Sequence, residues 1–132
     1  MDLSIDNNTA AYQLIIKGAL VTVSEALITI KMCVAQGRFH LVPRAKNQSG
    51  MIELGLTFNT LKSVILNLTK NNYYSGPSKD FDQSDGEIWV YAEDLNGTEA
   101  YIKLKIFHVD SVAHTKCLSV HPSERSMGFV KD

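Results

Sequence analysis

A tyrosine and two lysines occupy every second position of the stretch EAYIKLKIF at residues 99–107. Alternate residues of a β-strand point to one side of a sheet, so Tyr101, Lys103 and Lys105 would share a face. A phenol beside ammonium groups can transfer protons and stabilise negative charge. The alternative is that these side chains form only the solvated side of a half-buried sheet. The neighbouring strands therefore decide which other groups join them.

Asn96-Gly97 separates this strand from the preceding stretch EIWVYAEDL. That dipeptide favours a two-residue type I′ turn, because both positions tolerate positive φ. If these two residues form the loop, three facing pairs lie on one side of the hairpin: Ala92 with Tyr101, Val90 with Lys103, and Ile88 with Lys105. The other side carries the predicted core residues Trp89, Tyr91, Ile102, Leu104 and Ile106.

A third strand is predicted over HTKCLSVH, after a short loop around 110–113. Leu118 and Val120 match the core side of the hairpin. Strict alternation then turns three side chains toward Tyr101: Cys117, Ser119 and His121. The same alternation points Lys116 toward the core side, so a bulge would be needed to re-aim it. Lys105, one step beyond Lys103, is the member expected to be simply solvated.

Cations, a phenol and an imidazole on one face suit the cleavage of a phosphodiester by the adjacent 2′-hydroxyl. That reaction needs a proton acceptor, a proton donor and positive charge for the developing oxyanion, and it requires no metal. His108, His114 and His121 lack compact ligand spacing, and neither cysteine sits in a Cys-x-x-Cys pair. No metal or cofactor is therefore predicted.

The whole chain has 132 residues, 45% of them apolar, and a net charge of −1. This composition predicts a single globular domain over residues 1–132 with no bulk positive field. A polyanion would have to bind locally, on the lysine- and histidine-containing stretch 101–125. No apolar run approaches the about 20 residues that span a bilayer, which predicts a cytoplasmic chain without a membrane partner. Cys33 and Cys117 are expected to be buried thiols.

Helices precede strands along the chain. Ser24 as N-cap and Gly37 as terminator predict a helix over 24–36, and the spacing of Leu61, Val64, Ile65 and Leu68 predicts another over 59–70. Two stretches are predicted as loops or short extended segments, RFHLVPRAKNQSG and SGPSKDFDQSDG. The predicted fold class is α+β, with two or three helices packed on a three- to four-stranded antiparallel sheet.

The run ELGLTFNTLKSVILNLTKNNYY, a tryptophan strand, YIKLKI and CLSVH follow one another in this order. Together with IKMCVAQGRF, this pattern resembles the MqsR family of toxins from bacterial type II toxin–antitoxin systems, over roughly residues 27–125. The resemblance implies a RelE-like fold, endoribonuclease activity on mRNA and neutralisation by a cognate antitoxin. Residues 1–26 form an N-terminal extension outside it, for which an edge strand, a cover over the sheet and a dimer contact all stay open.

The tyrosine and lysine of the family's central strand motif match Tyr101 and Lys103, and the lysine that ends its last strand falls near His121. Two functional positions of the family differ in this chain. The lysine after the aromatic residue that closes the second helix is Ser75, with Lys79 as the nearest replacement on the same loop. The glutamine after the tryptophan is Val90. The two departures leave the nucleotide preference open.

The resulting hypothesis is a metal-independent endoribonuclease toxin that cleaves single-stranded mRNA by 2′-hydroxyl attack. Tyr101 and His121 would share the acid–base steps, and Lys103 would stabilise the transition state. Further contacts with phosphate or RNA are assigned to Tyr74, Lys79, Lys105, Lys116 and Arg125. The alternative is a non-catalytic protein- or RNA-binding module on the same fold. The expected partners are single-stranded mRNA and an antitoxin protein, and a homodimer stays open.

Overall fold

The computed structural model describes residues 22–79 and 85–124. Its elements in chain order are α1 (Val23–Ala35), β1 (Phe39–Leu41), α2 (Ala45–Leu54), α3 (Phe58–Leu66), a 3₁₀ turn (Lys70–Asn72), β2 (Tyr73–Ser78), β3 (Glu87–Leu95), β4 (Thr98–Val109) and β5 (Val112–Pro122). The strands form one sheet in the order β1-β5-β4-β3-β2, with β1 parallel to β5 and the other pairs antiparallel. The α+β class is confirmed, with five strands in a mixed sheet instead of three or four antiparallel ones.

Helix α1 begins one residue earlier than the predicted range of 24–36, and its N-cap is Thr22 instead of Ser24. The Thr22 hydroxyl accepts a hydrogen bond from the Glu25 amide at 3.0 Å, and the Glu25 carboxylate accepts one from the Thr22 amide at 3.1 Å. This reciprocal pair satisfies two amides that have no partner within the helix. Gly37, with a φ of 80°, follows the helix as predicted. Within the described ranges, every helix is too short and too polar to cross a membrane.

Helix α2 was not predicted, because its composition is typical of a loop. Pro43 precedes the helix instead of interrupting it, and the turn-type residues that follow are used for packing against β5. A Cβ atom on Gly50 would lie 2.3 Å from the Val120 carbonyl oxygen, so a glycine permits the close approach of helix and strand. The loop prediction for RFHLVPRAKNQSG was wrong at β1 and α2 because tertiary contacts decide this segment.

The predicted loop SGPSKDFDQSDG also begins as a strand. Its first residues belong to β2, the outermost strand beside β3. The register between β2 and β3 shifts after Tyr73 and again after Ser75. An outer strand tolerates glycine, proline and such irregularities because its other edge needs no partner. Residues 80–84 of this stretch lie outside the described residues.

The β3–β4 hairpin has the predicted register, with Ala92 opposite Tyr101 and Val90 opposite Lys103. Asn96 and Gly97 have φ values of 55° and 91°, as the turn requires. The predicted core side is confirmed: four of its side chains have no exposed surface and Ile106 keeps 5%. They pack against apolar side chains of α1 and α3, so both helices cover this side of the sheet.

Strand β5 contains a β-bulge at Leu118, because Lys103 pairs with Ser119 while the next residue, Leu104, pairs with Cys117. The extra residue reverses the alternation on one side of the bulge. Cys117 therefore points into the core, and the prediction that it shares the Tyr101 side was wrong, as was the core placement of the half-buried Leu118. Lys116 instead pairs with Lys105. The bulge thus turns Lys116 to the side of the sheet that carries Tyr101 and Lys105.

Both cysteines are buried free thiols, as expected. Burial raises the pKa of the Cys117 thiol to about 12, with a hydrogen bond from the thiol to the Ser119 carbonyl. The thiol thus stays protonated and serves as a small apolar core group.

Asn47, on α2, holds the bulge from the side and is fully buried. Its Nδ2 donates to the carbonyl oxygens of Val42 at 2.9 Å and Leu118 at 3.1 Å, and its Oδ1 accepts from the Val120 amide at 3.1 Å. One side chain therefore satisfies backbone groups that the interrupted strand pairing leaves available.

We expect Asn47→Ala to lower the free energy of unfolding by about 2 to 3 kcal/mol, because buried backbone groups lose their partners. Urea denaturation measures the change. Gln48→Ala, at the exposed neighbouring position of the same helix, is the matched control. Equal stabilities of the two variants would contradict the role given to the Asn47 amide.

Candidate active site

The side of the sheet opposite to α1 and α3 carries the residues that the sequence singled out. We call it the lysine face and define it by residues of β3, β4 and β5: Ile88, Val90, Ala92, Tyr101, Lys103, Lys105, Phe107, His114, Lys116, Ser119 and His121. Its β3 residues are buried, whereas Tyr101, Lys103 and His121 are half-buried. The accessible part of the face thus lies on β4 and β5.

Tyr101 and His121 are directly opposite each other, and their rings stack with centroids 5.1 Å apart and planes inclined by 19°. Nδ1 of His121 lies 2.8 Å from the Pro122 carbonyl oxygen. A carbonyl oxygen can only accept, so Nδ1 donates and carries a proton. In the neutral ring the lone pair is then on Nε2, which makes this nitrogen the available proton acceptor.

The pKa of Tyr101 is raised above its ordinary value by burial and by the negative charge of Glu124, with a smaller contribution from Tyr74; Lys46 opposes the shift. The Lys46 ammonium is 2.6 Å from a Glu124 carboxylate oxygen, and this contact lowers the pKa of Glu124 and keeps it ionised. Tyr101 therefore holds its proton at neutral pH. Of the two stacked rings, the phenol is suited to donate a proton and the imidazole to accept one.

Lys103 lies in the next row across the sheet, between Val90 on β3 and Ser119 on β5. Arg44 reaches this row from the residue that precedes α2. Its Nη2 donates to Ser119 Oγ at 2.7 Å and to the Leu118 carbonyl oxygen at 2.5 Å. Lys103 and Arg44 thus both border Ser119, which places two basic side chains in the row next to the Tyr101–His121 pair.

Sequence reasoning missed Arg44. The residue lies in a stretch predicted as a loop, and its position depends on the Leu118 carbonyl that the bulge directs toward it. No spacing rule connects positions 44 and 118, so the sequence carries no local signal for this contact. A charged residue just before an unrecognised helix was the nearest indication.

The other predicted contact residues differ in accessibility. Tyr74 and Lys79 are exposed on β2 and directly after it, and Lys116 is half-buried. Lys105 keeps only 2% of its surface exposed, so the expectation that it is simply solvated was wrong. The segment before β3 packs on its stem, because a Cβ on Gly86 would lie 2.5 Å from Lys105 Cε. Arg125 lies outside the described residues.

The two departures from the family pattern, Ser75 and Val90, are register partners on β2 and β3. Val90 is buried and Ser75 half-buried. The row that contains Lys103 therefore reads serine, valine, lysine and serine across four strands. Its charged groups are confined to β4 and to Arg44 at the β5 side.

No cluster of three or more histidine, cysteine or acidic side chains with metal-binding geometry occurs in residues 22–79 and 85–124.

Helices on one side of a mixed five-stranded sheet, with a tyrosine, a histidine and lysines on the other, define a small α+β domain with a polar, cationic face. The family described as "Motility quorum-sensing regulator, toxin of MqsA" matches residues 22–121. The chain therefore belongs to the MqsR toxin family and is a toxin of a toxin–antitoxin system, which implies a cognate antitoxin as its partner. A comparison with curated proteins finds no match.

We expect the Tyr101 phenol to ionise above its ordinary pKa of 10.0, because burial and the Glu124 carboxylate both disfavour the phenolate. The measurement is the ultraviolet difference titration between the wild-type chain and Tyr101→Phe, which isolates this phenol from the other tyrosines. The phenylalanine ring preserves the stack on His121. A midpoint at or below 10.0 would contradict the effect on the Tyr101 pKa that is assigned to burial and to Glu124.

Proposed function

We propose that this toxin is a metal-independent endoribonuclease that cleaves single-stranded mRNA in the cytoplasm by 2′-hydroxyl attack. The observation that carries the proposal is the stacked pair of Tyr101 and His121, with the Nδ1 proton of His121 committed to Pro122. This arrangement provides a proton acceptor and a proton donor on neighbouring strands. Membership of a toxin family supports the proposal, because a toxin must act on a component of the cell and cleavage of mRNA would stop protein synthesis.

In the proposed reaction, Nε2 of His121 accepts the proton of the 2′-hydroxyl, and the 2′-oxygen forms a bond to the adjacent phosphorus. The bond between phosphorus and the 5′-oxygen breaks, and the Tyr101 phenol gives its proton to that leaving oxygen. The products are a 2′,3′-cyclic phosphate and a 5′-hydroxyl. The phenolate then recovers a proton from the imidazolium, directly or through a water molecule, which returns both groups to their starting states.

Positive charge beside the pair stabilises the phosphorane-like transition state. Lys103 and Arg44 are the groups proposed for this task, because both border Ser119 in the row next to Tyr101 and His121. Tyr74 and Lys79 are exposed and are proposed to contact RNA at the rim. The burial of Lys105 removes it from the proposed phosphate contacts.

The second candidate is a module that binds RNA or a protein without cleaving RNA. It is favoured by the adjacent replacements at Ser75 and Val90, which leave the β2–β3 side of the Lys103 row without charged groups. Under this alternative the cations would bind phosphate, and the imidazole would take no part in chemistry. Product analysis separates the two, because binding alone yields neither a cyclic phosphate nor a 5′-hydroxyl.

We expect His121→Ala to lower the rate of RNA cleavage by about 100- to 10,000-fold, the range for loss of a general acid or base. Tyr101→Phe should also slow cleavage strongly, because the ring remains while the proton is lost. Both variants should abolish growth arrest when expressed in bacteria. The measurement is cleavage of a labelled single-stranded RNA in EDTA, with the cyclic phosphate identified by mass spectrometry.

His108→Ala is the matched control for His121→Ala, since His108 is exposed near the far end of β4. This variant should cleave RNA like the wild-type chain. The ribonuclease proposal would be rejected if the wild-type chain neither arrests growth nor cleaves RNA in EDTA. Equal activity of His121→Ala and His108→Ala would reject the catalytic assignment.

We expect Arg44→Ala to lower kcat/KM for RNA cleavage by about 100-fold, because one fixed cation beside the transition state is lost. Arg44→Lys should recover part of this loss, since a single ammonium keeps the charge but not the planar fork. Arg38→Ala is the control, because Arg38 also donates to a β5 carbonyl oxygen, that of Ala113 at 2.7 Å. Comparable losses in both alanine variants would indicate a structural role only.

A further inference from the structure

A cluster of three rings lies beside Lys116, on the same side of the sheet as the lysine face. We call it the ring cluster and define it as His40 on β1, Phe107 on β4 and His114 on β5. The ring centroids of Phe107 and His114 are 5.5 Å apart, those of His40 and His114 are 5.7 Å apart, and those of His40 and Phe107 are 6.5 Å apart. The Lys116 ammonium lies 4.8 Å from the Phe107 centroid.

The three centroids form a triangle, so no ring is sandwiched between the other two. In a three-ring stack the outer rings would lie about twice as far apart as neighbouring ones. His40 is exposed, and Phe107 and His114 are half-buried. The cluster is thus an accessible aromatic surface with a cation at its edge, and it lies outside the hydrophobic core.

Hairpin stability explains part of this arrangement. Phe107 and His114 are directly opposite each other on β4 and β5, and a cross-strand aromatic pair stabilises such a hairpin. That role accounts neither for His40, which comes from the parallel strand β1, nor for the position of Lys116 over Phe107. Aromatic and imidazole rings combined with a cation on an accessible sheet are typical of surfaces that bind single-stranded nucleic acid.

The ring cluster lies on the same side of the sheet as the proposed active site, with the half-buried Lys116 on β5 between them. Phe107 is six residues from Tyr101 on the same strand and points to the same face. A β-strand rises 3.3 to 3.4 Å per residue, which places the two side chains about 20 Å apart. A single strand of RNA that crosses the lysine face can therefore reach both places, with a few nucleotides between them.

We propose that the ring cluster and Lys116 form a subsite that stacks a nucleobase of single-stranded RNA at a distance from the scissile phosphate. The inference rests on the proposed ribonuclease function and identifies a second region of the RNA substrate that the chain binds. The rings hold the base by its π-face, and the Lys116 ammonium attracts the adjoining phosphate. Affinity then depends on RNA length, because a short oligonucleotide at the active site does not reach the rings.

The test is the binding of fluorescent, 2′-O-methylated oligonucleotides, in which the attacking hydroxyl is blocked, measured by anisotropy at fixed salt. We expect Phe107→Leu to weaken binding of a strand of about ten nucleotides by roughly 10-fold, the effect of losing one stacked base. Binding of a strand of about three nucleotides, too short to extend from Tyr101 to the rings, should not change. A long strand whose distal nucleotides lack their bases should bind the wild-type chain and Phe107→Leu with equal affinity, because no base is left to stack on the rings.

Phe58→Leu is the matched control, because Phe58 is also an accessible phenylalanine with a lysine ammonium over its ring, that of Lys62 at 5.0 Å. It lies on α3, away from the lysine face. Phe58→Leu should bind both oligonucleotides like the wild-type chain. Circular dichroism checks that each variant is folded. If Phe107→Leu does not fold, His40→Ala, which changes an exposed side chain of the ring cluster, tests the same subsite.

Equal binding of the long strand by Phe107→Leu, His40→Ala and Phe58→Leu would overturn the subsite. The exposed rings would then be a surface for a protein partner instead of RNA. An equal loss for long and short strands would overturn it as well, because the effect would not be confined to distal bases. Failure of the ribonuclease proposal is distinguishable. In that case the wild-type chain does not cleave unmodified RNA, whereas a length-dependent loss in Phe107→Leu would still support the subsite.

Discussion

The amide of Asn47 joins an edge helix to an interrupted strand, and the lysine face depends on that junction. The bulge at Leu118 leaves backbone groups of β5 without ladder partners, and Asn47 supplies hydrogen bonds to two of the residues involved. With the extra residue accommodated, Cys117 faces the core while Lys116 and His121 share the opposite side. An uninterrupted strand could not satisfy both placements, because side chains would alternate without a break.

The parts of the fold that sequence reasoning obtained are those set by local chemistry. The Asn96-Gly97 turn determines the β3–β4 register, and that register alone places Tyr101 and Lys103 on one side and Trp89 on the other. Ser119 and His121 were also placed correctly, since both follow the bulge in β5 and keep a regular pairing with Lys103 and Tyr101. Cys117 and Lys116 lie beyond it and were assigned to the wrong sides.

The parts that could not be predicted depend on contacts between distant positions. Asn47 and Gly50 are turn-forming residues by composition, and only the backbone of β5 explains their presence in a helix. Lys105 follows the same alternation as Lys103, yet the segment around Gly86 covers it. Arg44 reaches the candidate site only through its hydrogen bonds to the Leu118 carbonyl and to Ser119, far away in the sequence. In each case a local pattern was overruled by a neighbour far away in the sequence.

The distance between Asn47 and the bulge also bears on the synthesis of the toxin. α2 leaves the ribosome well before β5, so the buried Asn47 amide has only the Val42 carbonyl as a partner until residues 118–120 follow. Tyr101, Lys103 and His121 come from the last two strands, and the contact that holds Arg44 forms at the same late moment. A nascent chain that stops before β5 therefore lacks an assembled lysine face. Under the proposed function, partial translation products would be harmless to the cell that makes them.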